Sequence, residues 1–151
     1  MNLASGNTVT ASQRDIFGLP VCDLDWADAF AFAEEVATMP FGQTVIAFLN
    51  ANNANMMLSD AEYRAVLERQ VVLPDGFGMD IASRIFHGRR FPANLNGTDF
   101  IPALLTYIEK PMRVAMIGSR HSVLHLAARK FARHAPWHEF VPVRDGYFDS
   151  S

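Results

Sequence analysis

The chain is 151 residues long, half of them hydrophobic and 19% charged, the size and make-up of one globular domain with a sizeable core. That balance excludes a disordered chain, a coiled coil and a low-complexity linker. Lys and Arg number 13 against 16 Asp and Glu, so the formal charge is −3 and the overall composition carries no nucleic-acid-binding footprint. The one cysteine, Cys22, permits neither an intramolecular disulfide nor a soft-metal cluster and suits a reducing compartment. The first fifteen residues lack the apolar core of a signal peptide, and no apolar run approaches the roughly 18 residues that span a bilayer. A soluble chain is expected, one that can still rest on a membrane surface.

Met1–Arg14 is rich in Ser, Asn, Thr and Ala, and residues 1–15 are expected to form a flexible arm ahead of a single α/β domain over 16–151. After Gly18-Leu19-Pro20, the segment Val21–Asp25 fits an edge strand or ribbon. Phe30, Phe32, Ala33 and Val36 recur at broadly helical spacing and predict a helix over Trp26–Thr38, capped by Asp25 and stopped by Pro40-Phe41-Gly42. The run Thr44–Leu49 suits a strand buried on both faces of a parallel sheet. A helix over Asn53–Arg69 follows, then a short strand at Val71–Leu73 ended by Pro74-Asp75-Gly76. Further helices are predicted over Phe77–Phe86 and Asp99–Glu109. Arg113–Ile117 is the clearest strand, closing at Gly118-Ser119, and it leads to a helix over His121–His134 and a last strand over Glu139–Val143. Strands alternating with helices predict a Rossmann-like α/β fold: an open, mostly parallel sheet with helices on both faces. The chain stops just past a strand, so the last β-α units of such a sheet are read as lacking.

In open α/β sheets, ligands bind beyond the carboxyl ends of the strands. Three such ends carry polar or glycine residues here: Asn50–Asn55, Asp75-Gly76-Phe77-Gly78 and Gly118-Ser119-Arg120. Asp75 suits either an N-cap or a general base that takes a proton from a hydroxyl. Asn50, Asn52, Asn53 and Asn55 offer uncharged donors and acceptors for sugar hydroxyls, and serve equally as turn and cap residues. The loop Asn94–Asp99 enters a helix with Thr98 or Asp99 as its expected cap, and a helix N-terminus readily receives phosphate. His121 and His125 stand four apart without a third ligand, so no metal site is expected. Arg84, Arg89 and Arg90 with His87 form a basic cluster, suited to a solvated face, a pyrophosphate or an anionic membrane surface. The missing Gly-rich fingerprint after the first strand counts against a further reading, a nucleotide-binding oxidoreductase of Rossmann type.

An ordered set of segments over roughly residues 16 to 149 resembles the TagA/WecG/CpsF glycosyltransferases, glycosyltransferase family 26. These are Phe17–Val21, the Asn50 position, Leu73–Gly78, Asn96–Phe100, Val114–Gly118 and Asp145–Phe148. The resemblance implies a metal-independent, inverting transfer of an N-acetylmannosamine-type or related sugar from a UDP donor, with no cofactor. The implied acceptor is a polyprenyl-diphosphate-linked sugar at the inner face of the cytoplasmic membrane, in cell-surface or exopolysaccharide synthesis. Asp75 matches the family's proposed base, and Asn50 a substrate-contacting position. Gly97, Thr98, Asp99 and Gly118 match positions lining the donor pocket; Asn55, Gly76 and Asn94 complete the expected substrate-binding set.

Two residues depart from the family pattern. Phe48 stands where members often carry Thr, and Asn94 where they often carry Arg, a lost charge for which Arg89 or Arg90 is the available substitute. Members also continue through further β-α units, with a Gly-x-Pro-x-Gln-Glu motif and sometimes a membrane-binding tail. The other reading is therefore a non-catalytic remnant that pairs with a partner, because an unfinished sheet exposes an edge that favours homo-oligomers.

Overall fold

The computed structural model of the protein describes residues 12–40 and 42–147. Residues 1–11 of the expected arm, Phe41 of the expected helix stop and residues 148–151 lie outside that range. The chain divides into two compact units, one ending at Phe100 and one beginning at Ile101.

The first unit opens with an antiparallel ribbon, β1 (Gln13–Ile16) and β2 (Leu19–Cys22), paired from Gln13↔Cys22 to Ile16↔Leu19. Residues 13–15, placed by composition in the arm, are thus strand. Arg14 and Ile16 face inward on alternate positions, and partners distant in sequence rather than local pattern hold them there. The two turn residues, Phe17 (φ 55) and Gly18 (φ 79), are both left-handed, the geometry that matches strand twist in a tight hairpin. An aromatic residue is uncommon there. Phe17 is anchored by its edge-on contact with Phe86 at 5.1 Å, while Arg64 donates to the carbonyls of Phe17 (3.2 Å) and Gly18 (3.0 Å).

Helix α1 (Trp26–Thr38) has the bounds its sequence predicts, and the Asp25 carboxylate accepts from the Asp28 amide at 2.9 Å as its N-cap. A parallel pair follows: β3 (Ile46–Leu49) and β4 (Val71–Pro74), in register from Ile46↔Val71 to Leu49↔Pro74. Their crossover is two helices, α2 (Ala51–Ser59) and α3 (Ala61–Leu67), where the sequence predicts one. Asp60 makes the break. Its Oδ1 accepts from the amides of Glu62 (2.9 Å) and Tyr63 (3.0 Å), and its own N–H closes α2 on the Met56 carbonyl. A short polar side chain that bonds nearby amides prefers a cap to a helix interior.

Ile16, Val21, Leu49, Met57, Val72 and Met79 form the centre of this unit's core. Arg14 crosses beside it, only 5% exposed. Its Nη1 donates to Ser83 Oγ and to the carbonyls of Arg89 and Arg90, its Nη2 meets Asp23, and its guanidinium lies 5.1 Å from the centre of the Phe91 ring. Cys22 is fully buried, and that burial pushes its thiol above the usual 9.0 against the weaker pull of hydrogen bonds from Gln13 and Val72. Helix α4 (Phe77–His87) ends at Gly88 and turns Met79 and Ser83 inward. A second cluster is aromatic: Phe100, fully buried in α5 (Gly97–Tyr107), stacks on Phe30 at 5.2 Å and touches Trp26 and Phe48.

The second unit pairs β5 (Arg113–Ile117) with β6 (Glu139–Arg144) in parallel through α6 (His121–His134). His138 is buried with both ring nitrogens engaged: Nδ1 accepts from the Met112 amide and Nε2 donates to the Leu105 carbonyl, which fixes its tautomer. Trp137 donates to the Ile108 carbonyl at 2.8 Å, and Phe131 stacks on Phe140. The class is α/β, with parallel strand pairs joined by helical crossovers and open sheets. Among the described residues the strands form three two-stranded sheets rather than one continuous one.

Candidate active site

The carboxyl ends of β3 and β4 stand side by side, because Leu49 and Pro74 are register partners. The next residue on each chain is a candidate: Asn50 and Asp75. The Asp75 amide donates to the Leu49 carbonyl at 2.9 Å, which extends the ladder by one bond and fixes the backbone of the aspartate. A third segment is stitched alongside. The Leu95 amide donates to the Pro74 carbonyl at 3.0 Å, and Asn94 Oδ1 accepts from the Gly76 amide at 2.8 Å. Gly97 follows, with the Phe48 ring so close that a Cβ there would lie 3.2 Å from it. Asn50, Asp75, Gly76, Asn94 and Gly97 are thus brought together from parts of the chain far apart in sequence.

Asp75 is half-buried, and among the described residues no hydrogen bond or ion pair engages its carboxylate. It does not cap α4. Gly76 occupies that position at φ 87, a left-handed value open to glycine, and offers no side chain to the first-turn amides of α4. Asn50 is the N-cap of α2: its Oδ1 accepts from the Asn53 amide at 3.0 Å, while Asn53 Nδ2 donates to the Phe48 carbonyl. Asn55 lies one turn further along α2 and is exposed.

The expected cap of α5, Thr98 or Asp99, is replaced by Asn96. Its Oδ1 accepts from the Asp99 amide (3.0 Å), and its Nδ2 donates to Asp99 Oδ2 (2.9 Å). An Asn three residues before an Asp is the signal that would have found it, by analogy with the capping box. Asp99 is thereby committed to its own helix end, and Thr98 is exposed beside it. Both departures from the family pattern have structural work. Phe48 packs on Gly97 and Phe100, and Asn94 holds the Gly76 amide. Of the substitute cations, Arg89 approaches Asp23 at 3.4 Å and Arg90 lies over the Phe77 ring.

N-termini of α2, α4 and α5 all fall at this edge. Helix N-termini carry unsatisfied amides and the positive end of the macrodipole, so the edge favours an anion. Those of α2 and α4 are in close contact: a Cβ on Gly78 would lie 2.8 Å from the Ala51 Cβ.

Gly118 belongs to the second unit. It adopts φ 126, donates its amide to the Arg144 carbonyl and precedes Ser119 at φ 59, a strained turn ahead of α6. This turn edges a cleft of about 390 Å³ lined by Ile101, Leu105, Met116, Phe131 and Phe140. That cleft has no titratable side chain in its lining, whereas the strand ends at Asp75 have one. Among the described residues, no group of three or more His, Cys, Asp or Glu stands ready to hold a metal ion. No helix among them is long and apolar enough to cross a membrane.

Parallel β-α units gather a carboxylate, amides and helix N-termini at their strand ends, an arrangement of the α/β class whose dipoles favour an anion. The sequence model of the WecG/TagA/CpsF family of glycosyl transferases matches residues 14–151, and the chain belongs to that family. It is by descent a glycosyltransferase, with a sugar donor and an acceptor as its substrates. No curated protein matches the chain.

Proposed function

We propose that the chain transfers an N-acetylmannosamine-type or related sugar from a UDP donor to a polyprenyl-diphosphate-linked acceptor, with inversion, at the inner face of the cytoplasmic membrane. The observation that carries this reading is the unengaged carboxylate of Asp75, fixed by its backbone beside Asn50 and the Asn94-held Gly76. Asp75 takes the proton from the acceptor hydroxyl. The freed oxygen attacks the anomeric carbon of the donor, a new glycosidic bond forms as the bond to the β-phosphate oxygen breaks, and UDP leaves. First-turn amides of α4 and the N-terminus of α5 bear the charge that develops on the diphosphate. Asn50, Asn55 and Asn94 offer amide groups to sugar hydroxyls, and Gly97, Thr98 and Asp99 line the donor side; Gly118 is assigned to the donor pocket on the family resemblance alone.

The test is turnover of a UDP-sugar by wild type and Asp75→Asn, with UDP binding measured by calorimetry on both. A positioned base is worth roughly 100- to 10,000-fold, so the variant loses at least about 100-fold in kcat while UDP affinity holds. Activity retained within a few-fold would sink the assignment of Asp75.

A further inference from the structure

Helix α4 begins two residues after Asp75 and presents a face that the proposed chemistry does not use. Phe77, Ile81 and Ile85 recur every four residues on the side opposite the buried Met79 and Ser83, and they are 63%, 46% and 72% exposed. Phe86, though half-exposed, lies toward the other side of the helix against Phe17 and is not part of this stripe. A monomeric soluble surface rarely leaves such a run of large apolar groups in water without a use for it. The stripe borders a groove of about 310 Å³ whose rim carries Arg84 and Arg90.

The charges around the stripe are lopsided. Arg84 and Arg90 have no carboxylate partner among the described residues, and Arg90 lies over the Phe77 ring at 5.7 Å. Arg89 stands next to them, its ion pair with Asp23 long and solvent-exposed at the arginine end. His87 engages the Asp15 carbonyl. Asp80 is the one carboxylate in the groove lining, and its Oδ1 accepts from the Phe91 amide. A cationic rim around an apolar stripe, on a chain whose net charge is −3, is a local feature and not a consequence of composition.

We propose that this face of α4 docks the protein on an anionic lipid bilayer. Phe77, Ile81 and Ile85 enter the headgroup boundary, and Arg84, Arg89 and Arg90 meet the lipid phosphates. A dissolved anion would engage the arginines but give the exposed side chains nothing to enter. A bilayer surface satisfies both, because long basic side chains lie along apolar surface and keep their charge at the phosphates. The docking rests on the geometry of α4 alone. Its use, bringing the Asp75 loop to a lipid-linked acceptor, rests on the proposed transfer reaction.

The experiment is co-sedimentation of the full chain with phosphatidylcholine vesicles, with and without phosphatidylglycerol, in low and high salt. Wild type sediments with the anionic vesicles only, and salt weakens the binding. The Arg84→Gln/Arg90→Gln pair lowers partitioning roughly 30-fold, at the usual increment for each cation near an anionic surface. Ile85→Ser lowers it as well, and circular dichroism verifies that both variants are folded. Equal partitioning of the variants and wild type overturns the proposal, as does a folded wild type that ignores anionic vesicles. So does self-association that depends on these residues without vesicle binding, which would make the occupant a second copy of the chain. Vesicle binding is read without substrate, so docking that persists in a chain with no transferase activity leaves this face standing and removes only its role in acceptor delivery.

Discussion

Replacing Arg14 with Leu removes the most connected polar side chain of the first unit. Its Nη1 donates to Ser83 Oγ at 2.7 Å and to the carbonyls of Arg89 (3.1 Å) and Arg90 (2.6 Å), and Nη2 lies 2.9 Å from Asp23 Oδ1. The side chains of Arg14 and Asp23 are 5% and 10% exposed, so the pair is nearly dry. Removing one partner of such a pair costs about 3–5 kcal/mol, because a buried charge is left uncompensated. Two details favour the lower end. Arg14 Nε has no acceptor, and Asp23 Oδ1, though close to Nη2, is not aligned for a hydrogen bond, so that contact is Coulombic and not a bidentate fork. Arg89 reaches Asp23 at 3.4 Å but is largely solvated and replaces little of the loss. The expected cost is about 3 kcal/mol, a large part of the roughly 5–15 kcal/mol that holds a domain together. Urea unfolding of Arg14→Leu and of the Arg14→Leu/Asp23→Leu pair measures it, with the double variant recovering part of the loss. A single-variant loss under about 1 kcal/mol, or a double variant no better than the single, would refute the uncompensated-charge argument.

Asn94→Ala removes the acceptor that holds the Gly76 amide. Stability should fall by about 1 kcal/mol or less, whereas loosening the Asp75 loop and losing an amide from the sugar side should lower kcat/KM by roughly 100-fold; an unchanged kcat would show that Asn94 does not position the loop. Gly78→Ala places a methyl group 2.8 Å from the Ala51 Cβ; overpacking outweighs the gain in helix propensity, for a net loss of about 1 kcal/mol that Ala51→Gly should relieve in thermal melts. Cys22 should resist thiol reagents until the chain unfolds. Its folded thiol titrates above 9.0 because of burial, so the unfolded chain gives up that proton first as pH rises. The associated stability is present below pH 9.0 and falls above it, and a Cys22→Ala variant should lose that alkaline slope.

The residues at the strand ends were legible in the sequence, but not what they do to one another. Asp75 and Asn50 follow apolar runs that stop at polar residues, and that pattern alone marks a ligand edge in a parallel α/β fold. Asn94 reads in the sequence as a charge missing from a family motif. In the fold it is the acceptor for the Gly76 amide, a bond across 18 residues that no local pattern contains. Phe48 likewise reads as a departure, until its ring is found against Gly97 and Phe100.

Local chemistry determined the bounds of α1 and α6 and the Arg113–Ile117 strand, because apolar periodicity, an Asp cap and Pro or Gly stops act within a few residues of where they stand. Asp60 shows the limit of that reading: helical composition runs through it, yet its side chain captures the amides of Glu62 and Tyr63 and divides the helix. Arg14 shows it again. A polar residue in a polar stretch becomes the hub of the first unit because Ser83, Asp23 and Phe91 surround it. The sequence by itself determined most of the helices and strands, β1 and the break at Asp60 excepted, and which family the motifs resemble. Only the tertiary structure decided which polar groups are spent on holding the chain and which, like the Asp75 carboxylate, are left unengaged, because hydrogen bonds between distant segments exist only once those segments meet.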